Sequence, residues 1–312
     1  MSVLITGGAG YIGSHMVWEC IDHGESVVVL DNLSTGFDWA VPSQAKLVVG
    51  NINDSELVKK TIVDHQVDTI VHFAGSVVVP ESIDNPLKYY TNNTSRTCSL
   101  IASAIECDIK QFVFSSTAAV YAAPPSLQPV DETAPLAPAS PYGASKLMSE
   151  TMIRDVAEAH GMRYVMLRYF NVAGADPKLR TGLSTHGATH VMKLACEAAT
   201  GKRPHFDVYG TDYDTPDGSA IRDFIHVSDL ANAHYVALQF LRSGGLKFTC
   251  NAGYSRGQSV LDVVDAVKRV SGNDFEVRFQ ARRKGDIQAI VADSSRMIQR
   301  LKWAPQFNNL DL

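Results

Sequence analysis

Near the N-terminus, the β-branched run Val3-Leu4-Ile5-Thr6 leads into the turn Gly7-Gly8-Ala9-Gly10-Tyr11-Ile12-Gly13. A helical pattern follows through Ile12, Met16, Val17 and Ile21 to Gly24, and a second apolar run, residues 26–30, ends in Asp31. Strand, glycine turn, helix, strand and acid in this order form the dinucleotide-binding fingerprint in its required context, and nothing else in the chain restricts its fold as severely. Glycine permits the tight turn and lets backbone N–H groups approach a pyrophosphate at the helix N-terminus. Asp31 lies eighteen residues past Gly13, where a carboxylate accepts from both ribose hydroxyls and repels a 2′-phosphate, so NAD is favoured over NADP.

The alternation continues. Residues 46–49 read as a strand, Asp54 caps a helix to about His65, and residues 69–73 form a strand running into Ala74-Gly75. A long helix over 86–106 precedes a strand at 111–114, a helix over 142–160 and a strand at 163–168. Strands separated by helices of this size predict an α/β fold with a Rossmann-type, doubly wound parallel sheet, ligands collecting at the strands' C-terminal ends. Ser115, Ser116 and Thr117 stand at such an end. Beyond Asn171, loops at 173–189 and 210–221 interrupt the rhythm, with helices predicted at 189–200, 228–243 and 259–270 and strands at 206–209, 247–250 and 276–279. The expected division is 1–171 for the dinucleotide and 172–312 for a smaller α/β substrate domain, with segments exchanged between them.

Tyr142 and Lys146 are four residues apart in the predicted helix, so phenol and ammonium share a face. A cation there favours the phenolate, lowering the tyrosine pKa towards working pH. Such a tyrosine beside a dinucleotide is what alcohol–ketone redox chemistry requires. Net charge is −5 and no basic run exceeds Arg282-Arg283-Lys284, which argues against nucleic acid or a membrane surface as partner. No apolar stretch reaches the roughly 18 residues of a membrane span, and the start MSVLITGG enters a strand at once, without a signal segment. The five cysteines are scattered with no C-x-x-C, as expected of reduced thiols in a cytoplasmic protein. His and Cys never cluster at ligand spacing, so no metal is expected.

TGGAGYIGSH, HFAG (72–75), YYTNNT (89–94), FSSTAAVY (114–121), SPYGASKL (140–147), LRYFNVAGAD (167–176) and RDFIHVSDLA (222–231) together resemble the extended short-chain dehydrogenase/reductases, and more closely the UDP-glucose (UDP-galactose) 4-epimerases. The resemblance implies that Gly7, Gly10, Tyr11, Ile12, Gly13, Asp31 and Asn32 hold the NAD pyrophosphate and ribose. It places Asn51 and Ile52 at the adenine, and Phe73, Ala74, Asn92 and Phe170 along the cofactor. Ser115, Thr117, Tyr142 and Lys146 match the catalytic group, with Ser115, Tyr142 and Lys146 also meeting NAD. Thr117, Tyr142, Asn171, His190, Val208, Tyr209, Arg222, Arg283 and Asp286 match positions binding a UDP-sugar. A homodimer through the helices near 86–106 and 142–160 is implied as well, although Leu100, Ile101 and Ile105 could equally face the core.

Departures from the resembled pattern bear on the reaction. Asn51 stands where an Asp usually reads the adenine amino group, and Ser76-Val77-Val78 replaces a segment carrying a lysine near the pyrophosphate. Thr189-His190 falls where paired asparagines bind substrate. Ala118 and Ala119 occupy the positions of the acids that related dehydratases need, so dehydration has no general acid. Ile290 aligns with a gate at which a large aromatic excludes N-acetylated sugars. The chain stops at Leu312, short of a C-terminal helix that the resembled enzymes usually carry. The expected activity is NAD-dependent 4-epimerisation of UDP-hexoses. The competing readings are a 4-epimerase of UDP-N-acetylhexosamines or UDP-pentoses and a non-catalytic NAD sensor.

Overall fold

A computed structural model describes residues 1–283 and 286–311. β1 (Ser2–Thr6) and β2 (Val27–Asp31) are buried along their whole length, as strands covered by helices on both faces must be. They are joined by α1 (Tyr11–Asp22), and the same crossover pattern continues through β3 (Lys46–Val49), α2 (Ser55–Asp64) and β4 (Val67–His72). Next come α3 (Val79–Asp84), α4 (Pro86–Tyr89) and α5 (Arg96–Glu106), then β5 (Gln111–Thr117), α6 (Pro141–His160) and β6 (Arg163–Tyr169). The helix predicted over 86–106 is not regular: a π-helical turn, Tyr90–Ser95, separates α4 from α5. Such turns widen a helix locally and often mark functional sites. This one carries Asn92 and Asn93.

The chain continues as β7 (Asn171–Ala173), α7 (Val191–Ala199), β8 (Phe206–Tyr209), β9 (Ile221–His226), α8 (Val227–Arg242) and β10 (Phe248–Ala252). It closes with β11 (Gly257–Ser259), α9 (Val260–Ser271), β12 (Val277–Gln280), β13 (Ala289–Ile290) and α10 (Ser295–Leu301). The large sheet is parallel with order β10-β6-β5-β4-β1-β2-β3. Its direction of winding reverses between β1 and β4, which opens a crevice at their C-terminal ends. α8 and β10, from the second half of the chain, return to this sheet: β10 pairs β6, and α8 packs on α1. Strand β9 organises the smaller layer, pairing β7, β11 and β13, and β12 pairs β8.

Two cores sandwich the large sheet. One joins Val3, Ile5, Met16 and Val17 to Leu230 and Leu238 of α8. The other joins Leu4, Ile70, Phe112 and Phe114 to Leu100, Ile101 and Ile153, with Ile105 packed against it. Leu100, Ile101 and Ile105 therefore face the core, which settles the alternative left open by their spacing. Each fully buried side chain of this size contributes about 1.5–3 kcal/mol, so the scaffold under the crevice is rigid.

Candidate active site

The crevice widens into a cleft of about 1480 Å³ that runs from the glycine turn to the smaller layer. That exceeds the roughly 300–1,000 Å³ of drug-sized sites, so two nucleotides fit in it together. At its cofactor end Gly7, at φ +72°, lets the chain turn where a Cβ would lie 2.6 Å from the Ala74 backbone N. A Cβ on Gly13 would lie 2.1 Å from the Gly7 carbonyl oxygen. Gly10 stands at the N-cap of α1 without a side-chain cap, so the helix's first N–H groups are left for an anion to accept from. Gly10, Tyr11, Ile12 and Gly13 line the wall there, and these features fit a dinucleotide pyrophosphate.

Asp31 closes β2 with its carboxylate held by two backbone donors, Ala9 N at 3.0 Å and Leu33 N at 2.8 Å. This fixes the carboxylate and leaves lone pairs for ribose hydroxyls. Asn32 accepts from Ser34 N at 3.1 Å. Asn51 and Ile52 line the cleft beyond, and Ile52 is buried. Phe73 packs on His234, with ring centroids 4.7 Å apart, and Ala74 follows it along the wall. Asn92 donates to Ser76 Oγ at 2.9 Å. Its neighbour Asn93, not singled out from the sequence, is buried, accepting from Ser76 N at 2.7 Å and donating to Ser145 Oγ at 3.1 Å. The π-helical turn thus fastens the loop after β4 to α6.

Three consecutive turns of α6 lie along the end of β5. Tyr142 faces the Thr117 hydroxyl, Lys146 Nζ donates to the Ser115 carbonyl at 2.9 Å, and Glu150 accepts from Ser116 Oγ at 2.5 Å. Tyr142, Thr117 and Phe170 line the cleft, while Lys146 and Ser115 lie buried behind them. α6 starts here because Ser140 caps it, accepting from Gly143 N at 3.2 Å, with Pro141 in its first turn.

Two expectations need correction. The Ser115 hydroxyl donates to the Tyr169 hydroxyl at 2.9 Å, within the wall rather than towards the cleft. The Tyr142 phenol is not lowered but raised, because burial outweighs the opposing pull of the Thr117 hydroxyl. Burial likewise lowers Lys146, to about 8, against the opposing pull of Glu150. Glu150 is held by a bidentate bond from Arg168, at 2.9 and 2.6 Å. Arg168 also donates to the Tyr121 hydroxyl at 3.1 Å, and that hydroxyl donates to Asn251 Oδ1 at 2.7 Å. None of these partners was apparent from spacing, since β-strand pairing brings them together.

Across the cleft, Asn171, His190, Tyr209, Arg222, Arg283 and Asp286 all line the opposite wall. Arg222 is largely enclosed, its Nη1 donating to the Ile221 carbonyl at 2.8 Å, and burial lowers its pKa. Arg283 donates to Asp286 at 2.8 Å and lies 4.9 Å from the Tyr209 ring centre. His190 stands at the N-cap position of α7 without a side-chain capping bond; burial lowers its imidazole, and its Nδ1 has no partner among the described residues. Val208 departs from expectation: its side chain is wholly buried with Ala195, Phe206 and Val263. Alternation along β8 turns Val208 inward and Tyr209 outward. Ile290 is buried in β13 among Ala118, Tyr121 and Phe170, and it lines the cleft.

A Rossmann sheet with a helix-borne Tyr/Lys pair at its crevice defines a dinucleotide-dependent enzyme of the short-chain dehydrogenase/reductase type. The chain belongs to the NAD dependent epimerase/dehydratase family, whose profile matches residues 3–253. A UDP-glucose 4-epimerase of Azospirillum brasilense is 52% identical over 309 residues, covering 99% of this chain and 88% of that protein. The UDP-glucose 4-epimerase of Brucella ovis, solved in complex with NAD, superposes with a TM-score of 0.96 at 40% identity, covering 99% of this chain and 95% of that one. The UDP-Glc/GlcNAc 4-epimerase of Campylobacter jejuni superposes with a TM-score of 0.86 at 43% identity, over the same shares of the two chains.

Proposed function

We propose that this protein interconverts UDP-glucose and UDP-galactose by NAD-dependent epimerisation at C4, through a transient 4-keto sugar. One observation carries the reading: Tyr142, backed by Thr117 and Lys146, lines the same cleft as two guanidinium groups, Arg222 and Arg283, on the opposite wall. Bound NAD supplies a two-electron acceptor that returns what it takes. Gly7, Gly10, Tyr11, Ile12, Gly13 and Asp31 would hold it, with Asn32, Asn51, Ile52, Phe73, Ala74, Asn92 and Phe170 along its length.

Tyr142 takes the proton of the C4 hydroxyl as the sugar is oxidised and gives it back when the keto group is reduced from the other face. Thr117 orients the phenol. Lys146 stabilises its phenolate, opposing the burial that otherwise holds it protonated. Arg222 and Arg283 grip the diphosphate, with Asp286 orienting Arg283 and Tyr209 beside the uracil. Asn171 and His190 flank the sugar. An anchored diphosphate and a loosely held hexose let the 4-keto sugar turn over. Ala118 and Ala119, which line the cleft after Thr117, supply no carboxylate for elimination, and this argues against dehydration.

A second substrate class is favoured by Ile290. An aliphatic side chain at the sugar end leaves room that an aromatic ring would fill, so UDP-N-acetylhexosamines enter as well. The reading also includes a division of labour between residues 1–171 and 172–312, a place in galactose metabolism in the cytoplasm, and a homodimer. Leu87 and Met148, exposed apolar residues of the helices near 86–106 and 142–160, support an interface through those helices. No helix among the described residues is long and apolar enough to cross a membrane.

The test incubates the purified protein with UDP-glucose, UDP-galactose, their N-acetyl forms and UDP-pentoses, adding no cofactor, and follows anomeric protons by NMR. Equilibration of the glucose/galactose pair is expected. No equilibration of any pair, or unimpaired turnover by Tyr142→Phe, refutes the reading.

A further inference from the structure

In the cofactor half of the cleft, two cationic side chains line the wall, Lys88 and Arg96. Lys88 is engaged with Glu81 at 2.5 Å. Arg96 makes no ion pair among the described residues, and it is half-buried at the first position of α5. Its Nη1 donates to Asn92 Oδ1 at 2.8 Å, and Asn92 in turn donates to Ser76 Oγ at 2.9 Å. Ser76 is two residues past Ala74, whose backbone N would lie 2.6 Å from a Cβ on Gly7. One end of this chain of contacts therefore reaches the glycine turn. Two helical turns beyond Arg96 on α5, Ser103 Oγ donates to Ser55 Oγ at 3.2 Å. Ser55 begins α2 just after Asn51 and Ile52, which line the adenine end. Arg96 lines the cleft without an ion-pair partner among the described residues, its guanidinium oriented by Asn92.

The geometry points to Arg96 as a binding residue for the adenosine-diphosphate half of the dinucleotide, a role that rests on the NAD reading above. A guanidinium offers forked donors to a diphosphate and a flat cation to an adenine face. Both chemistries belong to the same half of the ligand. Neither involves the nicotinamide.

The protein and its Arg96→Gln variant, each first stripped of the nucleotide it carries on purification, are titrated calorimetrically with NAD, ADP, adenosine and nicotinamide mononucleotide. The variant is expected to bind NAD and ADP about tenfold or more weakly, the usual loss for a charge-assisted contact, while nicotinamide mononucleotide binds equally to both proteins. A loss confined to NAD and ADP assigns the diphosphate; one that extends to adenosine assigns the adenine face. Arg96→Lys, which keeps the charge, recovers part of a diphosphate contact. Equal affinities of wild type and Arg96→Gln for NAD and ADP overturn the assignment, as does an equal loss for nicotinamide mononucleotide. If the wild type itself binds no NAD, the functional reading fails instead.

Discussion

Replacing Glu150 by Gln removes the one carboxylate on which Arg168 and Ser116 converge, and the cost follows from the geometry. Glu150 is 0% and Arg168 3% exposed, and they share two bonds of 2.9 and 2.6 Å. Gln still accepts from Ser116, so shape is nearly conserved and the change is one of charge. Breaking a buried pair by neutralising one partner costs about 3–5 kcal/mol, because the other charge stays buried without compensation. At about 2.1 cal/mol/K of unfolding entropy per residue over 312 residues, the melting temperature falls by about 5–8 °C. A second consequence is chemical. The Glu150 charge favours the ammonium of Lys146, so Glu150→Gln also moves the alkaline limb of the rate profile to lower pH. Thermal denaturation and a pH–rate series measure the two effects. The Glu150→Leu/Arg168→Met pair recovers part of the stability, since it leaves no buried charge uncompensated but takes the acceptor from the Ser116 hydroxyl. A melting temperature within about 2 °C of wild type, together with an unmoved alkaline limb, refutes the reasoning.

Lys146 holds its proton below about pH 8 and loses it above, so wild-type kcat falls as pH rises through that value. Lys146→Arg, charged throughout, loses the fall while running more slowly, as a pH series detects. Gly13→Ala puts a methyl 2.1 Å from the Gly7 carbonyl oxygen, backbone against backbone. The expected result is a loss of about 1–3 kcal/mol or more and of bound NAD, read from thermal denaturation and the nucleotide content of the purified protein. Ile290→Tyr fills the sugar end, and the kcat/KM ratio of UDP-glucose to UDP-N-acetylglucosamine rises about tenfold, in line with pocket-size discrimination, when the two substrates are assayed side by side.

The large sheet was legible because its strands are buried on both faces, and a run such as Val27–Leu30 has no other use. The glycine turn and Asp31 were legible for a related reason: close backbone approach leaves the sequence little choice. Strands β7, β9, β11 and β13 were not anticipated. They are mostly two or three residues long and pair across large sequence distances, which periodicity cannot detect. Spacing put Tyr142 and Lys146 on one face of α6 but said nothing of depth, and depth reverses the direction of the tyrosine's pKa. The Ser115–Tyr169 bond depends on the pairing of β5 with β6, where Ser115 sits opposite Leu167 and Thr117 opposite Tyr169. Val208, by contrast, was readable: alternation with Phe206 already turns it inward.

The fate of the hydrogen at C4 tests the mechanism most directly. With UDP-galactose carrying deuterium at that carbon, Tyr142 handles the hydroxyl proton while the carbon-bound label leaves and returns inside the cleft. Mass spectrometry of the UDP-glucose formed in ordinary water is predicted to find the deuterium retained at C4. Its replacement by solvent hydrogen contradicts the mechanism.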